Sequence, residues 1–555
     1  METKGKQNAE TNQQVQTIVK QSKIKRKTIL ITASVVLFAN MFCSAWAVYD
    51  TNEVLDSMES FLIQQMEVFD SVSPPNQPPL VQTFGWDPNL PFPPNDLNPS
   101  PCTNPPCAPD PLPEMKYRGD TYDHSTIVCW FVECARLDFI NGRDPTQNLG
   151  WAKKLLDAII FLRENDPCGD GRIRAAYWAN NLLNPSGTEA SIMDPDTGIG
   201  NMGWFGIALT RFCYVAEITS YLDSSQRQQY LQVARETADW IVEHCEDPNW
   251  PFGFRGGYGG WNQISYTWKS TEHNIDVYVL AQNLYRLDGN PNWAEMAKHA
   301  QEFVKEMFDP FEGYYYTGTK EDGITPNPSP VPADAQSWSA LAEIDDPNRR
   351  ALALEFLARS GLDPNSANDL LILESCDDCC DILGIKFSDI GTHIQCEATA
   401  GAAMAFLLEY KQQEGQDLVE SLDRIRICAA PPYDGIADGN GIVATPCLEG
   451  AWTGYGQYAW YYKLLHVASS AWTGLAVMVL QGDEMANPLK PLPITGDFNQ
   501  DDKVDFVDFA LLAKNYPKNS CEIPYWCGGF DLNHDDLIDL ADLAVFCWHW
   551  LEPYN

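Results

Sequence analysis

Positive charge is scarce in this chain of 555 residues: 37 Lys and Arg stand against 76 Asp and Glu, a net charge of −39. That imbalance argues against nucleic acid as a partner, because the phosphate backbone would be repelled. Long apolar runs are scarce too. One, "TILITASVVLFAN", follows the basic "KIKRK" (Lys23 to Lys27), and "SAWA" behind it offers small residues at Ala45 and Ala47, as a signal-peptidase site requires. The run is short for a membrane span and has no charged stop-transfer flank, so a signal peptide over residues 1–47 is expected, an uncleaved anchor being the alternative. No other stretch approaches a membrane span, so the rest is expected to be soluble and exported, secreted or held at the cell surface. Period-two alternation is rare, which leaves little room for strands. Neither a Gly-x-Ser-x-Gly elbow nor a Gly-x-x-x-x-Gly-Lys-Ser/Thr loop occurs, which weakens serine hydrolysis and phosphate-loop chemistry. No fixed period of about 34 residues is found, against tetratricopeptide repeats.

Cysteine is plentiful: 17 residues, of which Cys43 falls in the signal, leaving an even 16 in a disulfide-permitting compartment. Cys102 and Cys107 could close a small loop, and Cys521, Cys527 and Cys547 lie near the C-terminus. "CDDCC" (Cys376, Cys379, Cys380) has no matching Cys or His pair at zinc-finger spacing, so disulfides are the better expectation there.

Proline marks the boundaries. After an amphipathic stretch, Val54 to Phe69, residues 74–113 are Pro-rich and cannot form helix or sheet interior. A second proline-bearing stretch spans Asn487 to Asp497. The plan is a signal (1–47), a Pro-rich leader (48–115), a body (116–486), a linker (487–493) and a C-terminal module (494–555). The body reads as helix after helix, with apolar residues at i, i+3, i+4 and i+7, often behind Ser, Asp or Asn-Pro caps. Aromatic, glycine-rich loops separate alternate helices, as in "PFGFRGGYGGWNQISYTW" and "LEGAWTGYGQYAWYY". Eleven or twelve paired helices suit a mainly α toroid of helical hairpins with its long loops gathered at one end.

Loops rich in Trp and Tyr beside carboxylates suit carbohydrate, since aromatic faces stack on sugar rings and acids bond hydroxyls. Trp204, Tyr258, Trp261, Trp268 and Trp452 are candidate stacking residues, together with Trp250, Phe252, Phe254, Tyr266, Tyr314, Tyr315, Tyr455 and Tyr458. Trp130 and Trp240 lie inside helices and are expected in the core. Acids stand at four helix starts: Asp123 in "YDHS", Glu272 in "STEHNID", Asp334 in "VPADAQSW" and Glu397 in "IQCEATAG". Asp276 follows Glu272 by one turn on the same face. Any one of these acids could be a helix cap. Four of them, each beside His, Asn, Gln or Trp, are harder to explain by capping alone.

With "YDH", "STEHNID", "DAQSW" and "CEATAG" at successive helix starts, residues 116–486 resemble the six-hairpin (α/α)-toroid glycosidases. The resemblance implies hydrolysis of a poly- or oligosaccharide by two carboxylic acids. Glu272 is then the expected general acid, tuned by His273 and Asp276. Asp334 or Asp123 would be the base, Glu397 a supporting or sugar-binding acid, and Gln336 a substrate contact. Two other classes remain open: a polysaccharide lyase using Tyr258 with Arg255, or His273, and a non-catalytic glycan-binding or scaffold protein.

The C-terminal module repeats one acidic loop. Calcium takes oxygens from loop positions 1, 3, 5, 7 (backbone), 9 and 12. The first copy offers Asp497, Asn499, Asp501, Lys503 (carbonyl), Asp505 and Asp508. The second offers Asp531, Asn533, Asp535, Leu537 (carbonyl), Asp539 and Asp542. Two calcium ions are therefore expected. The pair resembles a dockerin type I module over residues 494–552, which implies docking to a cohesin-like or other cell-surface protein. It departs from that pattern with Asp502 and Asp536 at position 6, where glycine is usual. Phe506-Val507 and Leu540-Ala541 stand at positions 10 and 11, where small hydroxylated residues are usual.

Overall fold

The structure, a computed structural model, describes residues 50–72, 80–84, 117–359, 369–376, 379–409, 411–429, 440–456, 459–498, 503–519, 521, 530–532 and 537–550. The signal segment with Cys43, Ala45 and Ala47 lies outside the described residues. So do Cys102, Cys107, Cys527, Tyr458 and the loop positions Asn499, Asp501, Asn533 and Asp535.

The described body is a closed double ring of helices. After α1 (Thr51–Val72) come five hairpins: α2 (Thr121–Ile140) with α3 (Thr146–Glu164), α4 (Ile199–Ile218) with α5 (Ser224–Cys245), and α6 (Thr271–Asp288) with α7 (Pro291–Glu306). Then follow α8 (Ala333–Leu341) with α9 (Pro347–Leu357), α10 (Cys396–Leu408) with α11 (Gln412–Cys428), and a last helix, α12 (Val467–Leu480). The even-numbered helices pack successively, α2 on α4 through to α10 on α12, and α12 returns to α2. Each odd-numbered partner packs outside, and α1 supplies the outer partner of α12. The ring is thus completed by bringing its first and last helices together. The expected mainly α toroid is observed.

Capping and small residues explain this geometry locally. Asp223 and Gln226 form a reciprocal capping box on α5, Ser270 accepts from the His273 N–H at the start of α6, and Gly289 ends α6 at φ 66°. Connections within hairpins are short, and those between hairpins are long, so the long loops gather where the inner helices begin. The inner helices approach closely because glycines face their neighbours. A Cβ at Gly200, Gly203 or Gly206 of α4 would come within 2.5–2.8 Å of His273, Asp276 or Leu280 on α6.

Two segments outside the expected body seal it. Residues 80–84 are buried between the starts of α2 and α12: the Val81 N–H donates to His124 Nε2 (2.9 Å) and the Val467 N–H to the Thr83 carbonyl (3.1 Å). At the opposite end, residues 485–492 run beneath the ring. There Arg211 donates to the Met485 and Asn487 carbonyls (2.6 and 2.9 Å), and the Leu492 N–H donates to Asn283 (2.9 Å).

Disulfides join Cys376 to Cys447 and Cys379 to Cys428, as the "CDDCC" segment suggested. Among the described residues seven other cysteines are free, including Cys129, Cys213, Cys245 and Cys396, which are buried and pack as small apolar groups. The C-terminal module has its own core of Ile494, Val504, Leu512, Cys521, Ile538 and Phe546. Val504 and Ile538 occupy equivalent positions of the two copies, as do Leu512 and Phe546, so the acidic repeat is also a packing repeat. No helix among the described residues is long and apolar enough to cross a membrane.

Candidate active site

Acids converge where the inner helices begin. Asp123, in the first turn of α2, is 4% exposed, and Asp334, in that of α8, is 8% exposed. Glu272 (α6) and Glu397 (α10) are half-buried. These positions share one neighbourhood: the charges of Asp334 and Glu397 act on Glu272, and that of Glu397 acts on Asp123. Burial, then the like charges, holds Glu272 and Asp123 protonated well above the ordinary carboxylate range. Burial pushes both Asp334 and Glu397 up to about 7. In Glu397 the Tyr122 hydroxyl opposes that rise and the Asp334 charge adds to it.

Several carboxyl oxygens here accept no hydrogen bond. Asp123 Oδ2, Glu397 Oε2 and both oxygens of Asp276 are buried without a hydrogen bond. Buried polar atoms are seldom left so, and in a cleft they are ready to receive hydroxyl donors from a ligand. Asp276 lies one turn below Glu272, and burial and the Glu272 charge keep it protonated.

The floor is aromatic. Trp204 meets Tyr122 edge-on at 5.2 Å, Trp338 at 5.3 Å and Trp472 at 5.7 Å, while Trp338 and Trp472 stack at 5.7 Å. The Trp472 indole donates to Tyr122 Oη (2.9 Å), and Tyr122 in turn donates to Glu397 Oε1. A relay of two donors thus aims one Glu397 oxygen and leaves the other free. Tyr461 and Tyr455 complete the wall. Burial, together with the carboxylate charges, pushes both phenols well above their usual range.

The three histidines at the inner-helix starts are neutral. Burial lowers His124, His273 and His466 to about 4. His124 accepts from Val81 at Nε2 and so must donate from Nδ1 to the Asp120 carbonyl (2.6 Å), which makes it a clamp on residues 80–84. His466 Nε2 lies 3.7 Å from Asp123 Oδ2.

The expected substrate contacts divide. Trp268 stands against His273 at 5.9 Å, beside the start of α6. Trp261, 69% exposed at a hairpin tip, and half-buried Trp452 lie on loops at the end where the inner helices begin. Trp204 is not a loop residue: it lies within α4, fully buried, and forms floor where a stacking face was expected. Gln336 is structural, because its side chain is spent on the Tyr315 N–H and the Tyr315 and Pro332 carbonyls. Tyr258 turns onto the outer helix, against Trp240 at 5.9 Å and under the Arg172 guanidinium. Tyr315 and Phe254 are buried in the core, as are Trp130 and Trp240. Tyr122, Trp338, Tyr461, His466 and Trp472 escaped the sequence reading. Tyr122 and His466 stand at helix starts like the acids, and that position was the available signal.

No family model matches the chain, and no curated protein matches it. Among solved structures, a family 76 glycoside hydrolase (mannosidase) from Bacteroides thetaiotaomicron is similar at 10% identity. It covers 78% of this chain and 100% of its own, with a TM-score of 0.47. A sugar epimerase from a ruminal bacterium is similar at 10% identity, 78% and 99% coverage and a TM-score of 0.49. A D-mannose isomerase is similar at 8% identity, 79% and 100% coverage and a TM-score of 0.48. Likeness at this level carries no weight for the chemistry.

Proposed function

We propose that this chain is an exported glycosidase that hydrolyses a poly- or oligosaccharide by paired carboxylic acids. One observation carries the proposal: four carboxyl groups with raised pKa values at the starts of α2, α6, α8 and α10, two of them, Asp123 and Glu397, with a buried oxygen that accepts no hydrogen bond, above an aromatic floor. Glycoside hydrolysis needs one carboxyl still protonated and one ionised near the working pH. Glu272 suits the acid, since it keeps its proton longest beside Asp334 and Glu397. It would give that proton to the leaving oxygen. Asp334, ionising at about 7, suits the base that takes a proton from water or the nucleophile that attacks the anomeric carbon. Glu397 and Asp123 would hold sugar hydroxyls through their free oxygens.

The lyase alternative is disfavoured by the same electrostatics. Elimination needs as base a Tyr with a lowered pKa or a His that titrates near neutrality, which His273 at about 4 does not, and a cation to neutralise a uronate. Here Tyr122, Tyr455 and Tyr461 are pushed the other way, and the clustered carboxylates would repel an acidic sugar. Tyr258 is packed on Trp240, and Arg255 reaches toward the His244 carbonyl.

The duplicated module is proposed to bind two calcium ions. The donor set consists of hard oxygens, as calcium prefers. Asp508, Asp531 and Asp542 are fully buried in so small a module, which fits carboxylates gathered around a cation. Phe506 and Leu540, at matched loop positions, are 73% and 67% exposed, which suits a tether to an apolar patch on a cohesin-like or cell-surface protein.

The test is a glycan panel with products read by mass. Hydrolysis adds water, whereas elimination leaves an unsaturated, ultraviolet-absorbing product. Glu272→Gln is expected to lower kcat by roughly 10²–10⁴-fold. Full activity of that variant would remove Glu272 from the acid role. Sugar binding without turnover in the unaltered protein would make it a lectin-like module.

A further inference from the structure

A second cluster of chemically capable side chains lies away from the carboxylates, on the segment leading into α10. Glu374 and Cys376 come from the strand Leu371–Cys376, His393 stands just before α10, and Cys447 lies in the loop ahead of Ala451–Trp452. One ligand atom from each of the four lies within 4.8 Å of all the others. Cys376 and Cys447 are 5% and 4% exposed and are disulfide-bonded to each other. His393 sits between two carboxylates, with Nδ1 2.5 Å from Glu374 Oε1 and Nε2 3.5 Å from Glu449 Oε2. The second Glu374 oxygen accepts the Ile394 N–H at 3.0 Å, which fixes the carboxylate. His393 also holds a left-handed backbone, φ 51°, a conformation that persists in a non-glycine residue only where its surroundings impose it.

We propose that when the Cys376–Cys447 bond is reduced, Cys376, Cys447, His393 and Glu374 bind a divalent cation of the zinc class. Two thiolates, an imidazole and a carboxylate are donors that zinc takes tetrahedrally. Bond lengths of about 2.0–2.3 Å put such donors roughly 3.3–3.8 Å apart; once the disulfide is broken and His393 Nδ1 is released from Glu374, the four atoms, now all within 4.8 Å of one another, would open to that spacing around the ion. Glu449 at Nε2 is the outer carboxylate that orients a metal-bound imidazole through its remaining N–H. The redox step balances with a phosphine reductant. The phosphine gives two electrons to the disulfide and takes the oxygen of water, whose two protons end on the two sulfurs. Zinc then displaces both thiol protons, and reoxidation of the pair would expel it.

The location gives the site a consequence. Ile394 is held by Glu374, and Gln395 caps α10, the helix whose first turn carries Glu397. Disulfide and cation are thus alternative clamps on the segment that aims Glu397. The assignment of the cation site does not depend on the glycosidase proposal.

The experiment uses the full chain with excess calcium present, so that the acidic loops are filled. After anaerobic reduction by a phosphine, checked by thiol titration, the protein is titrated with Co²⁺ and then Zn²⁺. A thiolate-to-cobalt charge-transfer band with tetrahedral visible absorption is expected, displaced by one equivalent of zinc. His393→Gln, which leaves the disulfide available for folding, is expected to weaken zinc at least ten-fold. The double variant Cys376→Ser/Cys447→Ser is expected to lose the thiolate band. The proposal fails if reduced wild type gives no such band, if the band survives the double variant, or if zinc binds equally well with the disulfide intact. It also fails if the pair resists reduction in the folded chain.

Discussion

Replacing Asp334 by Asn is expected to stabilise the protein, and to do so only as the pH rises toward neutrality and beyond. Asp334 is buried at the start of α8 and keeps its proton up to about 7, against an ordinary 3.8. The folded state therefore binds this proton more tightly than the unfolded chain does. The stability it contributes is fully present below about pH 4, and is lost as the pH rises through 7. At about 1.4 kcal/mol per tenfold change in proton affinity, ionised Asp334 costs the fold up to about 4 kcal/mol. Asn keeps the shape, and its oxygen can still accept the Ala335 N–H, but it has no charge to bury. Unfolding entropy of roughly 2.1 cal/mol/K per residue over ~430 residues gives about 0.9 kcal/mol/K, so Tm rises by about 4 °C. The assay is thermal unfolding of both proteins from pH 4 to 8.5. The variant's advantage should be near zero at pH 4, grow through pH 7 and level off. A pH-independent difference, or one largest at pH 4, refutes the account of Asp334 as a buried acid strained by its own charge. The variant should also lack glycosidase activity, separating what the residue does for the fold from what it does for a substrate.

Tyr122→Phe removes the donor that steadies ionised Glu397, so the Glu397 pKa rises above about 7, which a carboxylate infrared titration reads, and KM for the sugar that Glu397 would hold shifts with it. The Trp472 indole loses its acceptor at the same time, a destabilisation of about 1–3 kcal/mol measurable by urea unfolding. Gly203→Ala places a methyl 2.8 Å from Asp276 Cβ and forces α4 and α6 apart, costing about 1–3 kcal/mol in thermal unfolding and lowering kcat through displaced Glu272. Calcium chelation should abolish the helicity and protease resistance of Phe506–Asn515 and Leu540–His549 while leaving the toroid's unfolding unchanged; an unaltered module would remove calcium-driven folding.

The double ring was legible because its helices carry strong period-3.6 patterns and its connections alternate between short and aromatic-rich. What periodicity could not supply was the sixth outer helix. The stretch from Val54 to Phe69 reads as a helix, but its partner α12 begins more than four hundred residues later, and nothing local announces that pairing. The same blindness hid residues 80–84, whose burial depends on Val81 reaching His124 and Thr83 meeting Val467 across the seam. The burial of Trp204 and Gln336 was hidden for a related reason. Both stand among glycines and loop residues in sequence, yet the first two turns of a tightly packed inner helix are interior, and both side chains are buried there.

Whether an acid at a helix start is a cap or a catalytic group can be decided from what else caps that helix. The α6 start is capped by Ser270 and the α10 start by Gln395, so neither Glu272 nor Glu397 is needed there. No side chain caps α2 or α8. A capping carboxylate accepts backbone N–H groups and is favoured in its charged form by the helix dipole, by about 0.3–1 kcal/mol. Asp223 on α5 and Asp505 in the C-terminal module have that geometry. The four ring acids behave oppositely: their charged forms are disfavoured, by about 4 kcal/mol for Asp334, several times what a helix dipole can return. Burying four such groups together, at the starts of four of the six inner helices, strains the fold with no structural return. That imbalance is what a site for binding and protonating a ligand would require, and it separates these acids from the caps they resemble in sequence.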